Sequence, residues 1–366
     1  MNRLARLFAI MRKELLQLGR DRLTFGMIVG IPSIMILLFG YAINNDVRDL
    51  KAAVADLADT HLSRQFVAQL EQTQVLNVHY SVSTPEQLEK LLRAGKISVG
   101  IHIPPDFDRR SIDANRTAAH LLVDGADPTI FGVANQLANF PLGFDSTETG
   151  KPPVRNLEIR PFYNPERRTA VNVVPGLIGV ILTLTMILFT AVAIVREREH
   201  GNLELLINTP VSTTELMIGK VVPYIAIGLV QLALIVMFGK LLFDVPVRGG
   251  LLELYVGAAA FIAANLALGL LISTVARTQF QAMQMTFFLL LPSILLSGFV
   301  FPFDGMPPAA QLLGELLPNT HFIRITRGIM LRDASIVDVG NEIAVLAGFA
   351  VVALTLAILR FSRRLD

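Results

Sequence analysis

Six long and predominantly apolar stretches of the 366-residue sequence contain no Asp, Glu, Lys, Arg or His, and they constrain the fold more than any other feature. Each is about 17 residues or longer, close to the roughly 20 residues that an α-helix needs to cross the hydrocarbon core of a membrane. A helix satisfies its own backbone hydrogen bonds in lipid, so each stretch predicts a transmembrane helix. The alternative, a soluble core of long apolar helices, rarely contains six such runs. The stretches are 23–45, 169–195, 221–239, 254–276, 278–303 and 343–359.

Composition excludes several classes of function. Charged residues make up 17% of the chain, against about 25% in a typical soluble domain. The net charge of +2 is too small to argue for binding of nucleic acid. The sequence has no cysteine, which excludes disulfides, thiolate metal sites and a cysteine nucleophile. The chain is therefore predicted to be an α-helical polytopic membrane protein.

The distribution of Lys and Arg predicts its orientation. Basic residues are concentrated in the N-terminal segment, in the loop after the second span, at Arg277 and at the C-terminus. With six spans these four regions lie on one side, which is then cytoplasmic. The outer loop 304–341 departs from this rule because it contains Arg324, Arg327 and Arg332. We interpret this loop as short helices at the outer interface, whose arginines reach lipid headgroups while their stems stay buried.

The long segment between the first two spans predicts a separate domain. Residues 46–168 are numerous enough to form their own core, and β-branched apolar runs alternate in them with helical patterns. We therefore expect an inserted mixed α/β domain outside the cytoplasm. Its predicted elements are strands at 52–57, 97–103 and 119–123, helices at 62–70 and 85–93, and a return linker at 141–167.

The rest of the chain divides around this domain. Residues 1–22 are basic and amphipathic, and they predict a cytoplasmic helix in the membrane interface. The first transmembrane helix follows at 23–45. Residues 169–366 hold the other five spans, with a cytoplasmic loop at 196–220 and the outer loop 304–341.

The sequence lacks the residues that several chemistries need. No phosphate-binding Gly-x-x-x-x-Gly-Lys-Ser/Thr motif occurs, and the six histidines have no metal-ligand spacing. The spans contain no ionisable residue, which a proton- or ion-coupled transporter generally requires. A transporter without ionisable residues in its spans takes its energy from another protein. The alternatives are an ion-coupled secondary transporter and a membrane sensor or scaffold. Neutral polar residues that could line a pathway include Asn172, Gln281, Gln284, Ser293 and Ser297.

The loop after the second span carries a recognisable motif. Residues 196–204 read Arg-Glu-Arg-Glu-His-Gly-Asn-Leu-Glu, and Thr-Pro follows at 209–210. The last outer loop contains Leu-Pro-Asn-Thr-His-Phe at 317–322, with Arg327 downstream. Together with the order of spans and the large outer domain, these segments resemble the ABC-2 type permeases, the membrane subunits of one class of ABC exporters. Within that family the chain resembles multidrug or cation efflux permeases. Asn202 departs from the motif, where threonine is more usual.

The resemblance implies a function and a set of partners. In the family, the loop docks on a separate ATPase, and ATP and Mg²⁺ are bound by that subunit, so this chain itself would be no enzyme and hold no cofactor. The permease pairs with a second copy or a paralogue, and a periplasmic adaptor is a further expected partner. It would lie in a bacterial inner membrane and export drugs, amphiphiles or ions. The ATPase-coupling residues implied by the motif are Glu197, Arg198, Glu199, Gly201 and Glu204.

Overall fold

The computed structural model describes most of the chain. It covers residues 49–113, 116–138, 157–166, 168–199 and 213–362. The predicted interfacial helix at 1–22, the first predicted span at 23–45, and both Gly201 and Glu204 lie outside the described residues.

The first described unit is built on a five-stranded sheet, which we call the sheet unit. Its strands are β1 Leu50–Asp56, β2 Leu76–Ser81, β3 Val99–Ile103, β4 Ala119–Asp124 and β5 Leu157–Phe162. Their order is β2-β1-β3-β4-β5, with β3 and β4 antiparallel and the other neighbouring pairs parallel. Strand β1 is buried along nearly its whole length, as expected for a central strand covered on both faces.

Four helices cover the sheet. They are α1 His61–Gln72, α2 Pro85–Arg93, α3 Phe107–Ile112 and α4 Pro128–Ala138. One core joins α1 and α3 to the sheet through the rings of Phe66 and Phe107, whose centroids are 5.3 Å apart. A second core lies under α2, where Leu88 and Leu92 are fully buried. Helix α1 is capped by the preceding residue, Thr60, whose hydroxyl accepts a hydrogen bond from the Ser63 N–H in a capping box.

The two edge strands have the weakest signal in the sequence. The prediction of a linker at 141–167 is wrong for residues 157–162, because they form β5 at one edge of the sheet. Strand β2 forms the opposite edge and has polar residues along its exposed positions. Edge strands need to bury less of their surface, so their apolar pattern is weak.

Five helices among the described residues are long and apolar enough to cross a membrane. By length and composition they confirm the second to sixth predicted spans. Helix α5 extends four residues beyond the apolar stretch, as far as Glu199. The five helices are α5 Thr169–Glu199, α6 Thr213–Phe243, α7 Leu251–Val275, α8 Gln279–Leu296 and α11 Gly340–Ser362.

These helices differ in how much of their surface is covered. The spans of α5 and α7 are 56% and 61% buried, whereas those of α6 and α11 are each 17% buried. Helices α5 and α7 approach closely at Gly269, where an added Cβ would lie 2.8 Å from the Ile187 carbonyl oxygen. Hence α5 and α7 form the centre of the helical part, and α6 and α11 present apolar side chains outward. We call the end next to the sheet unit the near end, and the end at Glu199 and Gln279 the far end.

The loop between α8 and α11 contains two short helices, α9 Pro308–Glu315 and α10 Pro318–Arg332. Helix α10 is largely buried, and its Phe322 ring stacks on Phe261 of α7 at 4.0 Å. The interpretation of the arginines of this loop as headgroup anchors is wrong for Arg327 and Arg332. Both guanidinium groups are buried and pair with carboxylates of the sheet unit.

Candidate functional site

The motif residues that the structure describes lie on the last turn of α5, at the far end. Arg196 and Glu199 are exposed, while Glu197 and Arg198 are half-buried. The motif therefore begins on a continuous helix and not in a loop. This helix reaches back through the centre of the helical part to the sheet unit.

Arg198 binds the end of α7. Its Nη1 donates hydrogen bonds to the carbonyl oxygens of Ser273 and Ala276, both at 2.9 Å. The last carbonyl groups of a helix have no partner within the helix, and they carry its negative dipole end. The Arg198 guanidinium donates hydrogen bonds to these carbonyl groups, and its positive charge lies against the negative end of the helix dipole.

Glu199 binds the start of α8. Its Oε1 accepts a hydrogen bond from the Gln279 backbone N–H at 2.9 Å, and its Oε2 accepts one from the Gln279 Nε2 at 2.5 Å. The first N–H groups of a helix carry its positive dipole end, where a carboxylate is stabilised. Arg198 and Glu199, consecutive and of opposite charge, thus bind the end of α7 and the start of α8, the two helix ends that flank one turn.

Sequence reasoning missed the residues that receive these contacts. Ser273, Ala276 and Gln279 lie 75 to 80 residues from Arg198 and Glu199 in the chain. Three of the four hydrogen bonds involve backbone groups, namely two carbonyls and one N–H, and these carry no side-chain signal in the sequence. Only the exposed charge of the motif could be recognised from the sequence.

The proposed pathway residues lie at different levels of the helices. Gln281 is at the far end, where its Oε1 accepts a hydrogen bond from the Arg277 N–H at 2.9 Å. Gln284 has a buried Oε1 with no partner among the described residues. Ser293 is buried, and its carbonyl oxygen accepts a hydrogen bond from the Asn319 Nδ2 at 3.2 Å.

Ser297 and Asn172 lie at the near end. Ser297 lines a cavity of about 290 Å³ between the sheet unit and α10. The buried Asn172 amide is 3.1 and 3.2 Å from the carbonyl oxygens of Gly125 and Ala126, oriented so that its nitrogen donates to both. Whether the five residues line a pathway stays a prediction.

Two buried ion pairs join the sheet unit to α10, and we call them the near-end latch. Arg327 Nη1 lies 3.2 Å from Asp127 Oδ2, and Arg332 Nη1 lies 3.5 Å from Asp124 Oδ2. All four side chains are 10–11% exposed. Burial raises the pKa of Asp124, and the adjacent Arg332 offsets part of this rise.

A second charged cluster surrounds His321 of α10. Its Nδ1 contacts the Glu342 carboxylate, and its Nε2 lies 2.9 Å from the Glu315 carbonyl oxygen. Both ring nitrogens face acceptors, so only the doubly protonated ring donates to both. Burial alone would lower the pKa of His321, but the hydrogen bonds to Glu342 and Glu315 outweigh it and raise that pKa. Arg324 pairs with the carboxylates of Glu315 and Glu342.

Among the described residues, no three or more His, Asp or Glu side chains are grouped so that they could hold a metal ion. The charged clusters instead pair acids with bases, and they connect elements far apart in the chain.

The family follows from comparison with known proteins. A family model described as "ABC-2 family transporter protein" matches residues 22–359. The chain belongs to the ABC-2 transporter family. It is 30% identical to "Probable multidrug ABC transporter permease YbhS" of Escherichia coli K12, over 99% of this chain and 98% of that protein. It is also 30% identical to "Probable multidrug ABC transporter permease YbhR" of the same strain, over 92% and 93%.

A more distant relative differs in length. The chain is 22% identical to "ABC transporter G family member 20" of Dictyostelium discoideum, over 88% of this chain but only 46% of that protein. More than half of that relative therefore has no counterpart in the aligned region. The relatives of matching length are called ABC transporter permeases, and the resemblance to the ABC-2 family is confirmed.

Proposed function

We propose that this chain is the membrane-spanning subunit of an ABC exporter that is driven by ATP hydrolysis on a separate ATPase subunit. The observation that carries the proposal is the family match over residues 22–359, which includes the sheet unit and all of the helical part except the last residues of α11. Relatives of matching length are called multidrug permeases, which favours drugs or other amphiphiles as cargo.

The placement of charge supports an external source of energy. In the described spans, with that of α6 taken as Pro223–Phe243, acidic and basic residues occur only in the terminal turns, such as Glu253 and Arg360. An ion-coupled transporter needs an ionisable group inside the bundle. Energy then enters through the motif at the far end, with the segment 196–220 as the docking site for the ATPase. ATP and Mg²⁺ would be bound by that partner.

The far end is cytoplasmic in this proposal, and the sheet unit lies in the periplasm, where an adaptor protein could bind it. The exposed apolar surfaces of α6 and α11 fit contact with lipid or with a second permease subunit, identical or paralogous. The membrane is the bacterial inner membrane. Transport then follows from alternating tilts of two such helical halves.

The test is reconstitution with an ABC ATPase encoded in the same operon. The purified permease alone should hydrolyse no ATP, and the co-expressed complex should hydrolyse it. Inverted vesicles containing the complex should take up ethidium or a fluorescent phospholipid only when ATP is supplied. Sustained ATP hydrolysis by the permease alone would contradict the proposal. Uptake driven by a proton or sodium gradient without ATP would favour a secondary transporter.

A further inference from the structure

The contacts at the far end divide the motif into two parts with different tasks. Arg198 and Glu199 direct their side chains at the turn between α7 and α8, within their own chain. A residue that docks a partner must direct its charge outward. We call these contacts the far-end clamp. It consists of Arg198 with the Ser273 and Ala276 carbonyls, and of Glu199 with Gln279.

The clamp completes hydrogen bonding that the turn cannot complete locally. Within the turn, the Arg277 N–H is bonded by the Gln281 side chain, and the Gln281 N–H by the Thr278 hydroxyl. The Gln279 N–H is bonded by Glu199, which belongs to α5. The first turn of α8 therefore depends on the end of α5 for one of its capping contacts.

The charges of Arg198 and Glu199 are each opposite in sign to the dipole of the helix end that they contact. The basic Arg198 lies at the carboxyl end of α7, and the acidic Glu199 lies at the amino end of α8. Exchange of the two charges would place each against a helix end of its own sign. The order Arg-Glu in the motif thus corresponds to the order of the helix ends in the turn, where the carboxyl end of α7 comes before the amino end of α8.

Apolar packing continues the connection into the helices. One buried cluster contains residues of α5, α7, α8 and the turn between the last two, directly adjacent to the clamp. A shift of the end of α5 must therefore move the turn with it, or break both the polar and the apolar contacts. The buried members of this cluster are Ile187, Ala191, Val195, Ile272, Ala276 and Ala282.

We propose that Arg198 and Glu199 are positioning residues that transmit displacement of the end of α5 to α8, and that they do not bind the ATPase. This rests on the proposed function, in which the ATPase acts on the segment that follows α5. Helix α8 is the receiver because it carries Gln284 and Ser293 and is followed directly by Ser297, which lines the cavity at the near end. Loss of the clamp should uncouple hydrolysis from transport while the complex stays assembled.

The principal test exchanges the clamp partners. Gln279→Glu places two carboxylates together and breaks the side-chain contact. The double variant Glu199→Gln with Gln279→Glu restores it, with donor and acceptor exchanged. We expect the single variant to reduce probe uptake by roughly tenfold, the scale of one lost charge-assisted hydrogen bond. Co-purified ATPase and ATP hydrolysis should stay near wild type, and the double variant should recover uptake.

The matched control is Arg277→Gln. Its side chain is exposed on the same turn and has no contact in the clamp, so uptake and ATPase binding should not change. A second variant, Gln279→Ala, removes the side-chain contact without adding charge, and should also lower uptake with the complex intact. It keeps the test decisive if Gln279→Glu fails to accumulate.

A chemical cross-link tests the geometry without a transport assay. The chain has no cysteine, so Glu199→Cys with Gln279→Cys introduces the sole thiol pair. Without the reagent the double-cysteine variant lacks the clamp contact, so its uptake should be reduced. A short bifunctional thiol reagent should join the two cysteines in membranes and, by tying the end of α5 to α8 again, should restore part of the uptake while ATP hydrolysis continues. A cross-link that forms without any gain of uptake would contradict the positioning role.

The outcomes separate this proposal from the proposed function. If Glu199→Gln or Gln279→Glu lowers ATPase co-purification, and the double variant does not restore it, Glu199 docks the ATPase and the positioning role is wrong. If no clamp variant changes uptake, the clamp is only a structural connection. If the wild-type complex neither assembles nor transports the probes of the reconstitution assay, the proposed function has failed, and this inference fails with it.

Discussion

The near-end latch allows a prediction with a worked magnitude. In Asp127→Asn the carboxylate that pairs with Arg327 becomes a neutral amide, at a site where both side chains are 11% exposed. The Nε of Arg327 already has no partner among the described residues. The substitution leaves a buried guanidinium without its counter-charge, which typically destabilises a protein by about 3–5 kcal/mol.

The assay is thermal unfolding of the purified permease in detergent, and the chain supplies a matched control. With an unfolding entropy of about 2.1 cal/mol/K per residue over 366 residues, a loss of about 4 kcal/mol lowers Tm by roughly 5 °C. Asp59→Asn breaks an ion pair of the same kind with Arg64, but these side chains are 86% and 62% exposed. Such an exposed pair contributes about 0–1 kcal/mol to stability, so the Tm of Asp59→Asn should fall by about 1 °C or less.

A double variant tests the cause. Arg327→Gln added to Asp127→Asn replaces the unpaired charge with a neutral pair that can hydrogen bond, so part of the lost Tm should return. The reasoning is refuted if Asp127→Asn and Asp59→Asn shift Tm equally. It is also refuted if the double variant is as unstable as the sum of the two single changes.

Three further predictions follow from the structure. The pKa of His321 is raised in the folded protein. The protonated ring therefore stabilises the fold fully below the unfolded pKa near 6.5, and this stabilisation is lost as the pH rises through the raised pKa. The Tm difference between wild type and His321→Gln should shrink with increasing pH, and a constant difference would contradict this. Gly179→Ala places a Cβ against a side-chain oxygen of α10 and should lower the free energy of unfolding by about 1–3 kcal/mol. The control Gly132→Ala places its Cβ in open space on α4 and should not lower Tm. Cysteine at the exposed Asp59 should react with an impermeant thiol reagent in spheroplasts and cysteine at Arg277 only after lysis; the opposite pattern would reverse the orientation.

The elements that could be predicted are those whose own residues determine them. A membrane span is specified by the length of a charge-free stretch, and the structure has helices at the second to sixth of these stretches. Strand β3 and helix α2 were predicted because a β-branched run and a Thr-Pro start are local signals. Strand β5 was missed because it includes Pro161 and alternates half-buried with exposed residues at an edge of the sheet.

The contacts that organise the candidate site could not be predicted, because they join distant parts of the chain. Arg327 and Asp127 are 200 residues apart, and each has many possible partners of opposite charge. The basic residues of the outer loop therefore looked like headgroup contacts, although Arg327 and Arg332 are buried against carboxylates. Likewise, the sequence shows the charges of the motif but not that Arg198 and Glu199 bond to backbone and side-chain groups within the chain. Coupling of the motif residues to an ATPase stays a prediction.

The near-end latch also limits how these permeases can exchange parts. The loop Asp124–Asp127 of the sheet unit and the arginines of α10 are complementary in charge and position, yet they are encoded by separate regions of the gene. A chimera that receives the sheet unit of a relative without its α10 would bury arginines against a foreign loop. Functional grafts between such permeases should therefore require both segments to be transferred together, and the two should change as one unit when the outer part of the protein is redesigned.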